Sequence, residues 1–167
     1  MGPLNPPPPF PQFEFATVSE SHSTATKFYE EQNWLQAIEG NIDPSHSPFL
    51  HSGLNQEEMQ KVWEQTSYRN GGSWRWKRSG WQYESVDTDF GMMIAAWVPA
   101  DDERNFWRLN TYLLPCYSQT GNSFGESPIL NTSAWVPVDD EHVMVYFVHH
   151  NPARPLADSC LLYTSDA

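Results

Sequence analysis

Two histidines and a carboxylate stand close together in the segment Asp43-Pro44-Ser45-His46-Ser47-Pro48-Phe49-Leu50-His51, spaced Asp-x-x-His-x-x-x-x-His. Neutral imidazoles suit a borderline divalent metal such as iron or zinc. Two His and one carboxylate on one side of iron leave the opposite positions open for dioxygen and a substrate. On a regular helix Asp43 and His46 share a face, whereas His46 and His51, five apart, are turned from each other by roughly 140°. They converge on one ion only if the backbone bends, and Pro48 is placed to supply that bend by removing an amide donor. A metal-free reading stands beside this one. Asp43 as N-cap and Pro44 at the first helical position begin a helix, with both His as ordinary, partly exposed side chains. The pattern is not HExxH, which argues against a zincin-type hydrolase.

The elements that must hold these residues follow from periodicity. Between Ser23 and Gly53, Phe28, Trp34, Leu35, Ile38 and Ile42 recur at three- and four-residue steps and predict helix. Gln56 to Gln65 predicts a second, short helix, stopped by Asn70-Gly71-Gly72. From Ser73 the pattern becomes β. Trp74 and Trp76, then Trp81 and Tyr83, alternate with polar residues about Ser79-Gly80. Met92 to Val98, Asn105 to Leu114 and Val143 to His149 are further strand-like runs. Asp101-Asp102-Glu103 and Asp139-Asp140-Glu141 read as solvated acidic turns between strands. Helices first and an antiparallel meander afterwards indicate an α+β domain, its sheet curling around a helix to enclose a cavity.

Composition excludes several functions. The 167 residues are enough for one domain with a core. A formal net charge of -12, with nine Lys and Arg that do not cluster, is unsuited to nucleic acid or an anionic membrane surface. No apolar run is long enough to span a bilayer, and no signal peptide opens the chain. Cys116 and Cys160 are the only cysteines and form no zinc-finger spacing. A reducing cytoplasm is the expected location. Eight Trp, seven Tyr and nine Phe supply core and can line a cavity for a flat ligand.

The run from Asn33-Trp34-Leu35-Gln36-Ala37-Ile38-Glu39-Gly40-Asn41-Ile42-Asp43-Pro44-Ser45-His46 through His51 resembles the iron-site segment of Rieske non-haem iron oxygenases. The branch it looks most like is the phthalate 4,5-dioxygenase type of α subunit. Val86-Asp87-Thr88-Asp89-Phe90-Gly91, Phe106-Trp107-Arg108 to Tyr117, and Trp135-Val136-Pro137-Val138-Asp139-Asp140-Glu141-His142 carry the likeness onward in the same order, to about Leu156. The resemblance implies a helix-grip fold of the Bet v 1/START-like kind, incomplete here, with the substrate pocket between sheet and helix. It makes His46 and His51 two ligands of a mononuclear Fe(II). Asp43 becomes the bridging carboxylate, hydrogen-bonded to a metal-site His and facing a cluster-ligating His on a neighbouring subunit of a trimer-based homo-oligomer. The implied reaction is oxygen insertion into an aromatic substrate, often an acid, by dioxygenation, monooxygenation or O-demethylation. Electrons would come from NAD(P)H through a reductase or ferredoxin and a [2Fe-2S] Rieske cluster. Arg75, Arg78 and Arg108 are candidate partners for a substrate carboxylate, and His149 and His150 are weaker pocket candidates.

Two departures from the family pattern bear on this chain. Its sequence has no Cys-x-His and Cys-x-x-His cluster pairs, and the family's third iron ligand, an Asp, lies more than a hundred residues past the second His. Residues 1–22 therefore read as a proline-rich connector following a missing Rieske domain. Residues 23–156 read as a partial catalytic domain, and residues 157–167 as a non-native tail. The competing class is a non-catalytic helix-grip module for a hydrophobic ligand. The expected outcome for the 167-residue chain is no substrate-dependent NADH oxidation with a competent reductase, and clear turnover would overturn the truncation reading.

Overall fold

The polar row Asn110, Thr120, Asn131 and His149 crosses four neighbouring strands at one register. It marks the middle of a seven-stranded sheet. The computed structural model describes residues 6, 9–50, 80–99, 102–121 and 129–157. In chain order the elements are β1 (Ser23–Glu30), α1 (Trp34–Ile42), α2 (Ser47–Leu50), β2 (Gln82–Thr88), β3 (Gly91–Pro99), β4 (Asn105–Leu113), β5 (Tyr117–Gly121), β6 (Leu130–Pro137) and β7 (Val143–His150). The spatial order is β1-β7-β6-β5-β4-β3-β2, every pair antiparallel, so β2 to β7 form a meander and β1 closes beside β7. This is the expected α+β arrangement of a sheet packed on a helix.

Residues Ser23–Glu30 correct the helix expected from Ser23 onward. They form a strand in which Thr24, Thr26, Phe28 and Glu30 are half-buried while Ala25, Lys27 and Tyr29 are exposed. The true period is two, and β-branched and aromatic residues favour the pleated surface. Helix begins only at Trp34. Asn33 caps it by accepting from the Leu35 amide at 2.9 Å, and donates from its own amide to the Asp140 carbonyl at 2.9 Å. That second bond fixes α1 to the acidic β6–β7 turn. The turn is solvent-facing as expected, with Asp139 accepting from the Glu141 amide and the His142 imidazole.

Trp34, Ala37, Ile38 and Ile42 form one face of α1, which lies over β4, β5 and β6 and packs with Phe28, Trp135, Val143, Val145 and Phe147. Ser118, Ser133 and Phe147 pair across β5, β6 and β7, so they share this inner face with Asn110, Asn131 and His149. The outer face is covered near β7 by the N-terminal segment. Phe13 packs on Tyr117 at 4.8 Å, Phe15 meets His150 edge-on at 6.2 Å, and His150 donates to Glu14 at 3.1 Å. Gly91 opens β3 at φ +145, and a side chain there would overlap the Tyr112 carbonyl. This accounts for a glycine at the end of the Val86–Gly91 block.

The strands expected at Met92–Val98, Asn105–Leu114 and Val143–His149 are β3, β4 and β7. Strands β5 and β6 escape hydrophobic patterning because their inner faces carry Ser118, Thr120, Asn131 and Ser133. The Gln56 to Gln65 helix, Trp74, Trp76 and Cys160 lie outside the described residues. Ile38 is 2% exposed and Leu35, at the solvent rim of the helix, 47%. Ile38→Ala should therefore cost about 3 kcal/mol in urea unfolding, and Leu35→Ala within about 0.5 kcal/mol. Equal losses would show that α1 does not seat on the sheet.

Candidate metal centre

Helix α1 stops at Asp43, whose backbone turns to φ -77 and ψ 117 while its amide still donates to the Glu39 carbonyl at 3.1 Å. The chain then bends through Pro44, Ser45 and His46 before α2, and the His46 carbonyl accepts from the Phe49 and Leu50 amides, both at 2.9 Å. The break thus lies before His46, with Pro48 in the first turn of the next helix, where its missing amide costs little. This corrects the expectation of a single helix bent at Pro48.

The Asp43 carboxylate organises the bend. One oxygen accepts from the Ser45 amide at 2.8 Å, and the other from the Ser45 hydroxyl at 2.7 Å and the His46 amide at 3.1 Å. That second oxygen is also 3.5 Å from His46 Nδ1. Burial pushes the Asp43 carboxyl up. The Ser45 hydroxyl, the Ser45 and His46 amides and the His46 ring outweigh it and hold the group below its ordinary value. Asp43 is thus the C-cap of α1 and not the N-cap of a helix opening at Pro44, because α2 starts only at Ser47; its carboxylate stands beside His46 in the same turn.

A polar relay ties this turn to the sheet. Asn110 donates to the Ile42 carbonyl at 2.6 Å, and Ser118 donates to the Asn41 side chain at 2.8 Å while accepting from the Trp135 indole at 2.9 Å. Asn110 and Ser118 are essentially inaccessible to solvent. Sequence reasoning missed both. Their only signal is a polar residue in a strand-like run, which reads as outward-facing until the partner strands are known.

His46 is half-buried beside its carboxylate, and α2 ends at Leu50, one residue before His51, which lies outside the described residues. The donor chemistry fits iron. An imidazole whose Nδ1 faces a carboxylate retains Nε2 for a metal, the usual arrangement of a ligating His. Among the described residues no three His, Cys, Asp or Glu converge as a complete ligand set. Arg108 is half-buried on β4 and shares the inner face with Asn110 two residues on, whereas Arg75 and Arg78 lie outside the described residues. His149 and His150 part company: His149 faces inward, and His150 is buried on the outer face against Glu14. Among the described residues no helix is long and apolar enough to cross a membrane.

Comparison with known proteins identifies the family and the fold. Residues 1–159 match a family described as LigXa C-terminal domain like. The 3-chlorobenzoate-3,4-dioxygenase oxygenase subunit of Comamonas testosteroni is 32% identical over 146 residues, covering 84% of this chain and 31% of the relative. The tert-butanol monooxygenase / tert-amyl alcohol desaturase oxygenase subunit of Aquincola tertiaricarbonis is 26% identical over 156 residues, covering 90% and 33%. The chain thus spans about a third of the length of these relatives. In fold it matches the crystal structure of dicamba monooxygenase bound to dicamba, with a TM-score of 0.55 at 10% identity over 86% of this chain and 42% of that one.

The lowered Asp43 carboxyl makes stability pH-dependent with a definite sign. Its contribution is fully present above the unfolded carboxylate range and is lost as pH falls through the lower folded value. In the metal-free chain, Asp43→Ala should cost about 1 kcal/mol at neutral pH, the worth of a cap. The gap to wild type should close below about pH 4. A gap of constant size down to pH 2 would show that the charge is irrelevant.

Proposed function

The chain belongs to the LigXa C-terminal domain-like family and is homologous to oxygenase subunits of Rieske-type oxygenases, and on that premise we propose that it forms the iron-site part of an oxygenase catalytic domain. In this reading residues 23–156 belong to the catalytic domain of a longer oxygenase component. His46 and His51 hold a mononuclear Fe(II), and a third ligand comes from outside this chain. Bound iron would supply activation of dioxygen for insertion into an aromatic, typically acidic, substrate. The observation that carries the proposal is the Asp43–His46 turn, because a carboxylate held by two amides and a hydroxyl is fixed in place 3.5 Å from the imidazole it orients.

Each residue then has a physical task. Asp43 keeps the hydrogen of His46 on Nδ1 and leaves Nε2 basic. On the bridging reading it also faces a cluster-ligating His of a neighbouring subunit, so that electrons from NAD(P)H reach the site through a reductase and a [2Fe-2S] cluster. Asn110 and Ser118 hold the end of α1 against the sheet, which keeps His46 at a fixed distance from the inner face. Arg108 on that face is the remaining described candidate to pair with a substrate carboxylate. A cytoplasmic, trimer-based assembly completes the proposal.

Anaerobic Fe(II) titration of the chain tests it directly. Binding should disappear in His46→Ala and in His51→Ala, and Asp43→Asn should weaken it by about 10–100-fold, the usual effect of removing the carboxylate behind a ligating His. Iron binding that survives both His substitutions would overturn the assignment. Metal-independent binding of an aromatic ligand with no iron binding at all would favour the non-catalytic module.

A further inference from the structure

Ser118 places a hydroxyl on the inner face of β5 with no access to solvent, where an alanine would pack without desolvating an oxygen. Its bonds run in one direction. The Trp135 indole approaches Ser118 Oγ at 2.9 Å, and an indole N–H only donates, so the hydroxyl accepts there. The single hydroxyl hydrogen then goes to the Asn41 side-chain oxygen at 2.8 Å. The three groups form a chain of one polarity, from β6 through β5 to the last turn of α1.

The indole end is anchored. Trp135 is buried, its ring meets Phe147 edge-on at 6.0 Å, and its backbone amide donates to the Cys116 carbonyl at 2.8 Å. The other end, Asn41, stands two residues before Asp43. Burial of Ile38 is non-directional, and the one bond from Asn110 to the Ile42 carbonyl leaves the last turn of α1 free to roll about it. Asn110 pairs with Thr120, and Ser118 lies two residues from Thr120 on the same face, so the two ties reach α1 from neighbouring strands. A tie on the Asn41 side chain and a tie on the next carbonyl together remove the roll. A metal site needs that constraint, because its ligands act only when held within about 0.5 Å of the productive geometry.

We propose that Trp135 is a positioning residue of the metal turn: through Ser118 it fixes the Asn41 side chain, and so the direction in which Asp43 and His46 leave α1. The inference rests on His46 and His51 holding the metal. It adds to that reading a residue on β6, remote in sequence from both.

Co(II) alone, titrated into the full 167-residue chain, reads affinity and ligand field together. Trp135→Phe keeps an aromatic ring and lacks the N–H. It should weaken binding about tenfold, within the range for substitutions that act on a site from a distance. Asn41→Ala, at the half-buried end of the chain, tests the same link even where Trp135→Phe does not fold. It should weaken binding by a similar factor and shift the Co(II) absorption bands in the same direction. The double variant should lose no more than either single one, because both cut one chain of bonds. Without metal, the Trp135 indole N–H resonance should move in Asn41→Ala. Losses that multiply in the double variant, unchanged affinity and bands in Asn41→Ala, or an indole resonance indifferent to that substitution would each overturn the inference and leave the iron reading in place. Absence in the wild-type chain of Co(II) binding that depends on His46 and His51 would remove that reading and the positioning role with it.

Discussion

One nine-residue helix lies across the middle of a seven-stranded sheet, and the placement of the site depends on that seat. Ile38 and Ala37 bury the helix against Trp135, Val143 and Val145, a contact that removes apolar surface from water but does not by itself set the helix's position along the strands. Position comes from directional bonds at its two ends. Asn33 ties the start to the β6–β7 turn, and Asn110 and Ser118 tie the last turn to β4 and β5. Because α1 is held at both ends, the residues that follow it emerge at one place on the inner face.

Those residues are Asp43 to His46. The carboxylate that ends one helix also satisfies the amides that start the next turn, so the chain bends without leaving buried donors unpaired. The same oxygen stands beside the His46 ring. The carboxylate beside the His46 ring is itself held by three hydrogen bonds.

Polar burial is the second constraint. The sheet's inner face is apolar under the helix and hydrogen-bonding along the Asn110–Thr120–Asn131–His149 row. The outer face follows a different logic. Phe13 and Phe15 cover it, and His150 is buried there against Glu14, which separates two adjacent histidines into unrelated roles. Adjacent residues on a strand point to opposite faces, and that single fact gives the pair different surroundings.

The α+β class, the strands β3, β4 and β7, the acidic turn at Asp139 and the Asp43–His46 pairing were all legible in the residues, because alternation, turn chemistry and short spacings are local properties. The strand at Ser23–Glu30 was misread because its few apolar residues also fit a helical period until Phe28 meets Phe147. Strands β5 and β6 were missed because their buried side chains are polar, and the bend was assigned to Pro48 although the Asp43 carboxylate had already broken the helix. Asn110, Ser118 and the inward aim of His149 are decided only by register, which joins residues as far apart as Asn41 and Ser118. By itself the sequence determined the family to which the chain belongs and the residue types it presents. The tertiary structure decided which faces carry those residues, since a side chain's partners across a sheet depend on strands distant along the chain.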